Sequence, residues 1–555
     1  MKTNLLDSGK ENGKTTVNSS SRRAFLQQCG SGLAAVSFAA SARSNRARAE
    51  KSEILTPEQR QEWYWDSVAS IHFDNGGRTL ARGMSPELLT RELRAIPIDM
   101  IQVAAYGGDG MHTGFPSQTS PKGFAPQDPW DSLSIWSDVA RETGKRFHIY
   151  AHTFNGVTPE GLADANPHYR GGQFSAGYQR FMEEVNLPIL REALDRYGPR
   201  GVWVDGSERL VHDPVGYRQQ IAEIVHQHNS AAMMTFNHSW MNLACGDPDP
   251  STPPSYVDTV SFDRVPTGGG LDHSRAQGMF YSSLAAVPHD MMHCLDRRGQ
   301  TYEDSLPGGG LAMASGGSWF LWVDNNGSGE GFLESLARAR KAAEWANLRK
   351  PALGRTRSAN QTAVLVSETQ WREGGTTYGA LGPAGLAWDD DVPLLQACAM
   401  SLQDQGFLVD IVNEETLVQY GNLYQRVFVP GNPRLSEAAE DTLRGLQSQG
   451  ITVERNVPAQ PAGHAPDIQA AHNTTGCVFS LRQQVPSNRY VLHVVDLRDL
   501  KRSEVSFRLP LASNPSEIEA YPRSVHVDHK WSDGGSTITL RELEVHAAIV
   551  LDCSA

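Results

Sequence analysis

The chain has 555 residues, 20% of them charged and 39% apolar, and a formal net charge of −13. That length exceeds what one hydrophobic core supports, so two or three domains are expected. An acidic chain repels phosphate backbones, which argues against nucleic acid as a partner, and the six cysteines lack the spacing of a zinc site or a disulfide scaffold.

At the N-terminus, Ser21-Arg22-Arg23-Ala24-Phe25-Leu26 sets paired arginines before Phe and Leu. A weakly apolar, Ala/Gly-rich stretch follows from Gly32 to Ala40, and then the small-x-small triplet Ala47-Arg48-Ala49. A charged start, a short apolar run and a small-residue cleavage site make a secretory signal. The arginine pair points to twin-arginine export, hence to a periplasmic or secreted protein. Residues 1–49 are read as this signal. They carry eight Lys/Arg and two Asp/Glu, so their removal takes the charge from −13 to −19. No later stretch is long and apolar enough to span a bilayer.

From Trp63 to about Lys350, short apolar runs alternate with amphipathic stretches. Strands are expected at 69–73, 100–105, 146–150, 201–204, 232–236, 259–262, 291–293 and 318–323. Helices are expected at 86–95, 129–143, 176–196, 214–228, 272–286 and 331–348. Alternating strands and helices predict parallel βα units, and eight strands over this span predict a (β/α)8 TIM barrel across residues 50–355. The α/β pattern restarts at Ala363: strands at 363–366, 407–411, 427–429 and 451–453 and helices at 392–405 and 436–449 predict a smaller flavodoxin-like domain over 356–460. Pro458–Asp467 reads as a linker. Alternating strands at 490–495, 505–509, 518–521, 536–540 and 547–551 then predict a C-terminal β-sandwich over 461–555.

In a barrel of this kind chemistry sits where the strands end. Gly201-Val202-Trp203-Val204-Asp205-Gly206 delivers one carboxylate at the exit of an apolar strand, and a glycine then turns the chain away. An Asp after a strand can equally cap a helix or make an Asx turn. Its company favours chemistry. The first strand ends at His72 and Asp74, and Tyr106, Asp109 and His112 follow the second. His152 ends the third, Trp203 and Glu208 flank Asp205, and Asn237 and His238 close the fifth. Asp263 and Arg264 close the sixth, and Trp322 lies on the last. Donors beside aromatic faces suit a sugar, whose hydroxyls need partners and whose C–H faces stack on rings. Glycoside cleavage needs two carboxylates. Asp205 is the expected nucleophile, and the acid is sought among mouth-side carboxylates, with Asp263 and Glu303 ahead of Glu208 and Glu330. No metal or cofactor is expected, because no histidine pair recurs at ligand spacing.

Several of these segments resemble the α-L-fucosidases of glycoside hydrolase family 29 and related glycosyl-hydrolase-like barrels. They are His72-Phe73-Asp74, the loop from Met111 to Ser117, Asn166-Pro167-His168-Tyr169-Arg170, Val202–Gly206 and Gly316–Leu321. The resemblance implies a barrel whose nucleophile ends a Trp-Phe-Asp-Gly-like strand, here Asp205. Those fucosidases carry tandem histidines after the second strand, where this chain has Gly107-Gly108-Asp109, so the sugar stays open. The second domain, with Asp391-Val392-Pro393 and Val427–Pro430, resembles the amidotransferase-like domain of such barrels and of trimeric β-galactosidases. That likeness implies a structural or homo-oligomer surface. The expected function is exo-acting, retaining hydrolysis of terminal α-L-fucoside- or galactoside-like sugars. The alternative is a barrel that binds glycans without cleaving them.

Overall fold

The computed structural model describes residues 56–73, 84–107, 112–122, 124, 131–172, 175–206, 216–237, 259–263, 270–283, 288–294, 301–323, 329–367, 369, 391–485, 487–532 and 534–553. The expected signal lies outside these residues. Among those described, no helix is long and apolar enough to cross a membrane.

Parallel strands form first: β1 (Ala69–Phe73), β2 (Met100–Ala104), β3 (Arg146–His152), β4 (Gly201–Asp205), β5 (Met233–Asn237), β6 (Thr259–Asp263), β7 (His289–Cys294) and β8 (Ser318–Val323). Each pairs with its sequence neighbour, and β8 closes on β1, with His72 opposite Trp322. Alternation along the strands sorts the side chains. Ile71, Phe73, Val202 and Val204 join the core under the surrounding helices. Tyr150, Trp203, Met292, Phe320 and Trp322 fill the barrel interior.

The helices start where the sequence supplies caps. Ser85 accepts from Leu88 N–H ahead of Pro86, opening Pro86–Arg94. Where one helix is predicted over 176–196, the structure has Ala176–Phe181, a π-helical turn at Met182–Asn186, and Leu187–Tyr197. Pro188 has no N–H for the carbonyl one turn back, and a widened turn absorbs the missing bond.

A helix absent from the sequence-based expectation, Tyr302–Ala314, contains Pro307 and three consecutive glycines. A capping box between Thr301 and Asp304 opens it. Two of its glycines are dictated by packing. A Cβ on Gly309 would lie 2.7 Å from the Trp319 ring, and one on Gly310 would lie 2.9 Å from Val495.

Beyond the barrel, a parallel sheet runs in the order Val409–Asn413, Thr362–Val366, Arg426–Pro430, Thr452–Val457. It packs through helix Asp391–Asp404 into the core shared with the barrel. Arg275 fastens this joint, donating to Gln403 Oε1 (2.9 Å) and Asp404 Oδ1 (2.6 Å). Two antiparallel sheets enclose a separate core around Leu492, Phe507 and Ile549. Thr356–Ser358 pairs with Cys477–Gln484, so this strand belongs to the sandwich although it precedes the α/β sheet in the chain. The expected linker ends pinned: buried Asp467 accepts from Arg426 Nη1 (2.8 Å) and Leu408 N (2.9 Å).

Candidate active site

Asp205 is the last residue of β4, and its side chain is 18% exposed at the strand's C-terminal end. Neighbouring strands converge on it. From β3, Tyr150 Oη donates to Oδ2 (2.6 Å); from β5, Asn237 Nδ2 donates to Oδ1 (2.8 Å). The turn at Gly206, in the left-handed region at φ 70°, aims its own N–H back at Oδ1 (2.7 Å). The backbone is pinned as well, since Thr153 N and Oγ1 both donate to Asp205 O (2.9 and 3.1 Å).

His152 Nε2 lies 3.6 Å from Oδ2. Phe154 N donates to His152 Nδ1 (2.6 Å), so the Nδ1 lone pair is engaged and the ring proton sits on Nε2, facing the carboxylate. Phe154 itself sits at φ 57°, a strained conformation of the kind found at functional sites.

Burial alone would raise the Asp205 pKa. The proximity of His152 and the hydrogen bonds from Tyr150, Asn237 and Gly206 outweigh it and hold the carboxyl below the ordinary value.

The aromatic layer beneath is tightly set. Tyr150 stacks on Trp203 with centroids 5.2 Å apart, a geometry that stabilises by roughly 0.5–1.5 kcal/mol beyond area burial. His72 sits among Tyr150, Trp203, Phe320 and Trp322 at 5.5 to 6.2 Å. His72, Trp203 and Trp322 are therefore buried supports for the mouth residues. Tyr106 stands behind the site: it is 1% exposed, and its hydroxyl donates to Asn186 Oδ1 (3.2 Å). Asn186, placed by the π-helical turn, in turn donates to His152 O (2.9 Å).

Of the residues expected from sequence, the structure gathers Asp205, His152 and Asn237. It adds Tyr150, which alternation signals two positions before His152 on the same face of β3. Glu303 is exposed in the first turn of Tyr302–Ala314, and among the described residues its side chain makes no hydrogen bond or ion pair. Asp263 ends β6 in register with Met292, and His112 pairs with Gly107; the side chains of both lie outside what is described. Asp74, Asp109, Glu208, His238 and Arg264 fall outside the described residues, as does the side chain of Glu330. In the α/β module, Cys398 is buried and its thiol is pushed up to about 12 by that burial, which removes it as a nucleophile.

The architecture superposes on α-L-fucosidase isoenzyme 2 from Paenibacillus thiaminolyticus with a TM-score of 0.67, over 88% of this chain and 99% of that one. This chain has the fold of an α-L-fucosidase. Sequence identity in that pairing is 13%, so the likeness is one of fold. A family 29 α-L-fucosidase from Bacteroides thetaiotaomicron gives a TM-score of 0.48 at 9% identity, covering 93% of this chain and 98% of its own. One from Vibrio sp. strain EJY3 gives 0.47 at 12%, covering 89% and 72%. No protein-family model matches the sequence, and no curated protein matches it. The fucosidase-like fold sets Asp205 at the end of a barrel strand, where barrel enzymes do their chemistry.

Proposed function

We propose that this chain is an exported, exo-acting, retaining glycoside hydrolase with Asp205 as nucleophile, removing terminal α-L-fucoside- or galactoside-like sugars from oligo- or polysaccharides. The observation that supports it is a carboxylate at a barrel strand end, held ionised and oriented by donors from both neighbouring strands. Among the described residues Oδ1 accepts two hydrogen bonds and Oδ2 accepts one, from the Tyr150 hydroxyl, so Oδ2 keeps a lone pair for the anomeric carbon. Attack would form a glycosyl ester as a mouth-loop carboxylic acid protonates the leaving oxygen. The same group, as carboxylate, would then draw a proton from water to release the sugar. Asp263 and Glu303 remain the candidates for that acid; retention calls for a carboxyl about 5–5.5 Å from Asp205. Export through the Arg22-Arg23 signal brings such an enzyme to polysaccharides that cannot enter the cell.

A screen of nitrophenyl glycosides with wild type, Asp205→Asn and Asp205→Gly tests the reading. The variants should keep their fold and lose turnover by several orders of magnitude. A fluorinated glycosyl donor should label Asp205, and azide should rescue Asp205→Gly. Undiminished turnover in Asp205→Asn would remove Asp205 from the reaction. Sugar binding without turnover by the wild type would instead assign a glycan-binding barrel.

A further inference from the structure

Away from the barrel mouth, the α/β module and the sandwich enclose a cleft of about 670 Å3, within the usual range for ligand sites. Tyrosines come from both modules: Tyr420 closes helix Glu414–Tyr420 and Tyr424 follows it, while Tyr490 lies on strand Arg489–Asp496. Between them stand the amides of Gln361, Asn422, Gln425 and Asn488. Among the described residues, no protein group hydrogen-bonds these four side chains.

The cleft is electrically quiet. Its charged lining residues are Arg357 and Asp410. Both Nε and Nη2 of Arg357 are committed to Gln483 Oε1 (2.9 and 2.6 Å). Asp410 is fully buried and accepts from Ser282 (2.6 Å), Asn360 (2.7 Å) and Tyr424 (2.9 Å). A cation would find no unengaged carboxylate, and an anion would find a single guanidinium whose Nε and Nη2 are already engaged. A carboxamide both donates and accepts, matching a hydroxyl, which does the same. A tyrosine ring offers an apolar face to the C–H side of a sugar and a hydroxyl at its tip.

We propose that this cleft is a second carbohydrate site, which takes a neutral oligosaccharide segment and does no chemistry on it. It depends only on the cleft's own residues and stands apart from the barrel reaction. A long polysaccharide could be held here by one part of its chain while another part reaches a distant site, raising local concentration without new contacts there.

Affinity electrophoresis of the full chain carrying Asp205→Asn, through gels containing xyloglucan, galactomannan, laminarin or acidic alginate, tests this directly. At least one neutral polysaccharide should retard the protein, and alginate should not. The triple substitution Tyr420→Ala, Asn422→Ala, Gln425→Ala alters exposed side chains only. It should leave the melting temperature and small aryl-glycoside turnover (measured with Asp205 intact) unchanged while weakening the retardation about tenfold. Absence of retardation in every neutral gel, retardation by alginate alone, or equal retardation of the triple variant would each overturn the proposal. Turnover by the barrel is read separately, so failure here leaves the hydrolase assignment standing on its own test.

Discussion

Tyr150→Phe isolates one hydrogen bond on the proposed nucleophile. The phenol donates to Asp205 Oδ2 at 2.6 Å and favours the ionised carboxyl. A hydrogen bond to a charged group contributes roughly 1.5–3 kcal/mol, and one pKa unit corresponds to about 1.36 kcal/mol. Removing the donor should therefore raise the Asp205 pKa by about 1–2 units. Catalysis needs the carboxylate, so the acid limb of kcat/KM should move upward by that amount, while the rate at neutral pH, where both proteins are ionised, changes far less. The phenylalanine ring keeps the 5.2 Å stack on Trp203, so thermal stability should fall little. A pH–rate profile from about pH 3 to 8 on a responsive nitrophenyl glycoside measures the shift. An acid limb that stays put, or moves down, would refute the claim that this phenol holds Asp205 ionised.

Acid should also weaken the fold from inside the sandwich. His493 Nδ1 and His546 Nε2 are 3.0 Å apart in a stacked, fully buried pair, and burial first, then nearby positive charge, pushes His493 down to about 3 and His546 well below its ordinary value. An unfolded histidine titrates near 6.5, so stability is full above that pH and falls below it as the unfolded chain takes up protons. The loss should reach about 2 kcal/mol for each such histidine at pH 5; denaturant midpoints at pH 7.5 and 5 should show it, with a shallower pH slope in His493→Gln, and equal slopes would refute it. In Gly309→Ala, the new methyl meets the rigid Trp319 ring at 2.7 Å, and overpacking of this kind should destabilise by about 1–3 kcal/mol in calorimetry, against the gain that alanine ordinarily brings to a helix.

Much of the barrel was legible because its strands are apolar runs bounded by turn residues, and β1 and β8 begin and end where the pattern does. The position of Asp205 at a strand end was legible because a carboxylate followed by glycine closes the apolar run Val-Trp-Val, although an Asx turn has the same signature. Helix Tyr302–Ala314 was not, since Pro307 and three glycines speak against a helix in any local window. Tertiary packing overrides that propensity, because only bare backbone lets Trp319 and Val495 come so close. The π-helical turn that delivers Asn186 to His152 O has no periodicity signature of its own. Tyr150 carried a weak signal, visible only once His152 was placed and the alternation of β3 was counted back from it. The acid partner stayed open because several strands end in carboxylates and sequence alone does not say which loop turns inward.

The strand Thr356–Ser358 changes what counts as a separable part of this protein. The chain begins the sandwich, leaves to build the four-stranded parallel sheet, and returns to finish what it began. The α/β module is thus an internal guest, both of whose ends are anchored in its host. In chain order this edge strand comes far ahead of Cys477–Gln484, the strand it pairs with. A fragment cut near residue 460 would leave that edge behind, exposing the outer edge of Arg482–Gln484 as a template for the next molecule. Any shortened chain meant to keep the sandwich intact has to carry residues 356–358 with it.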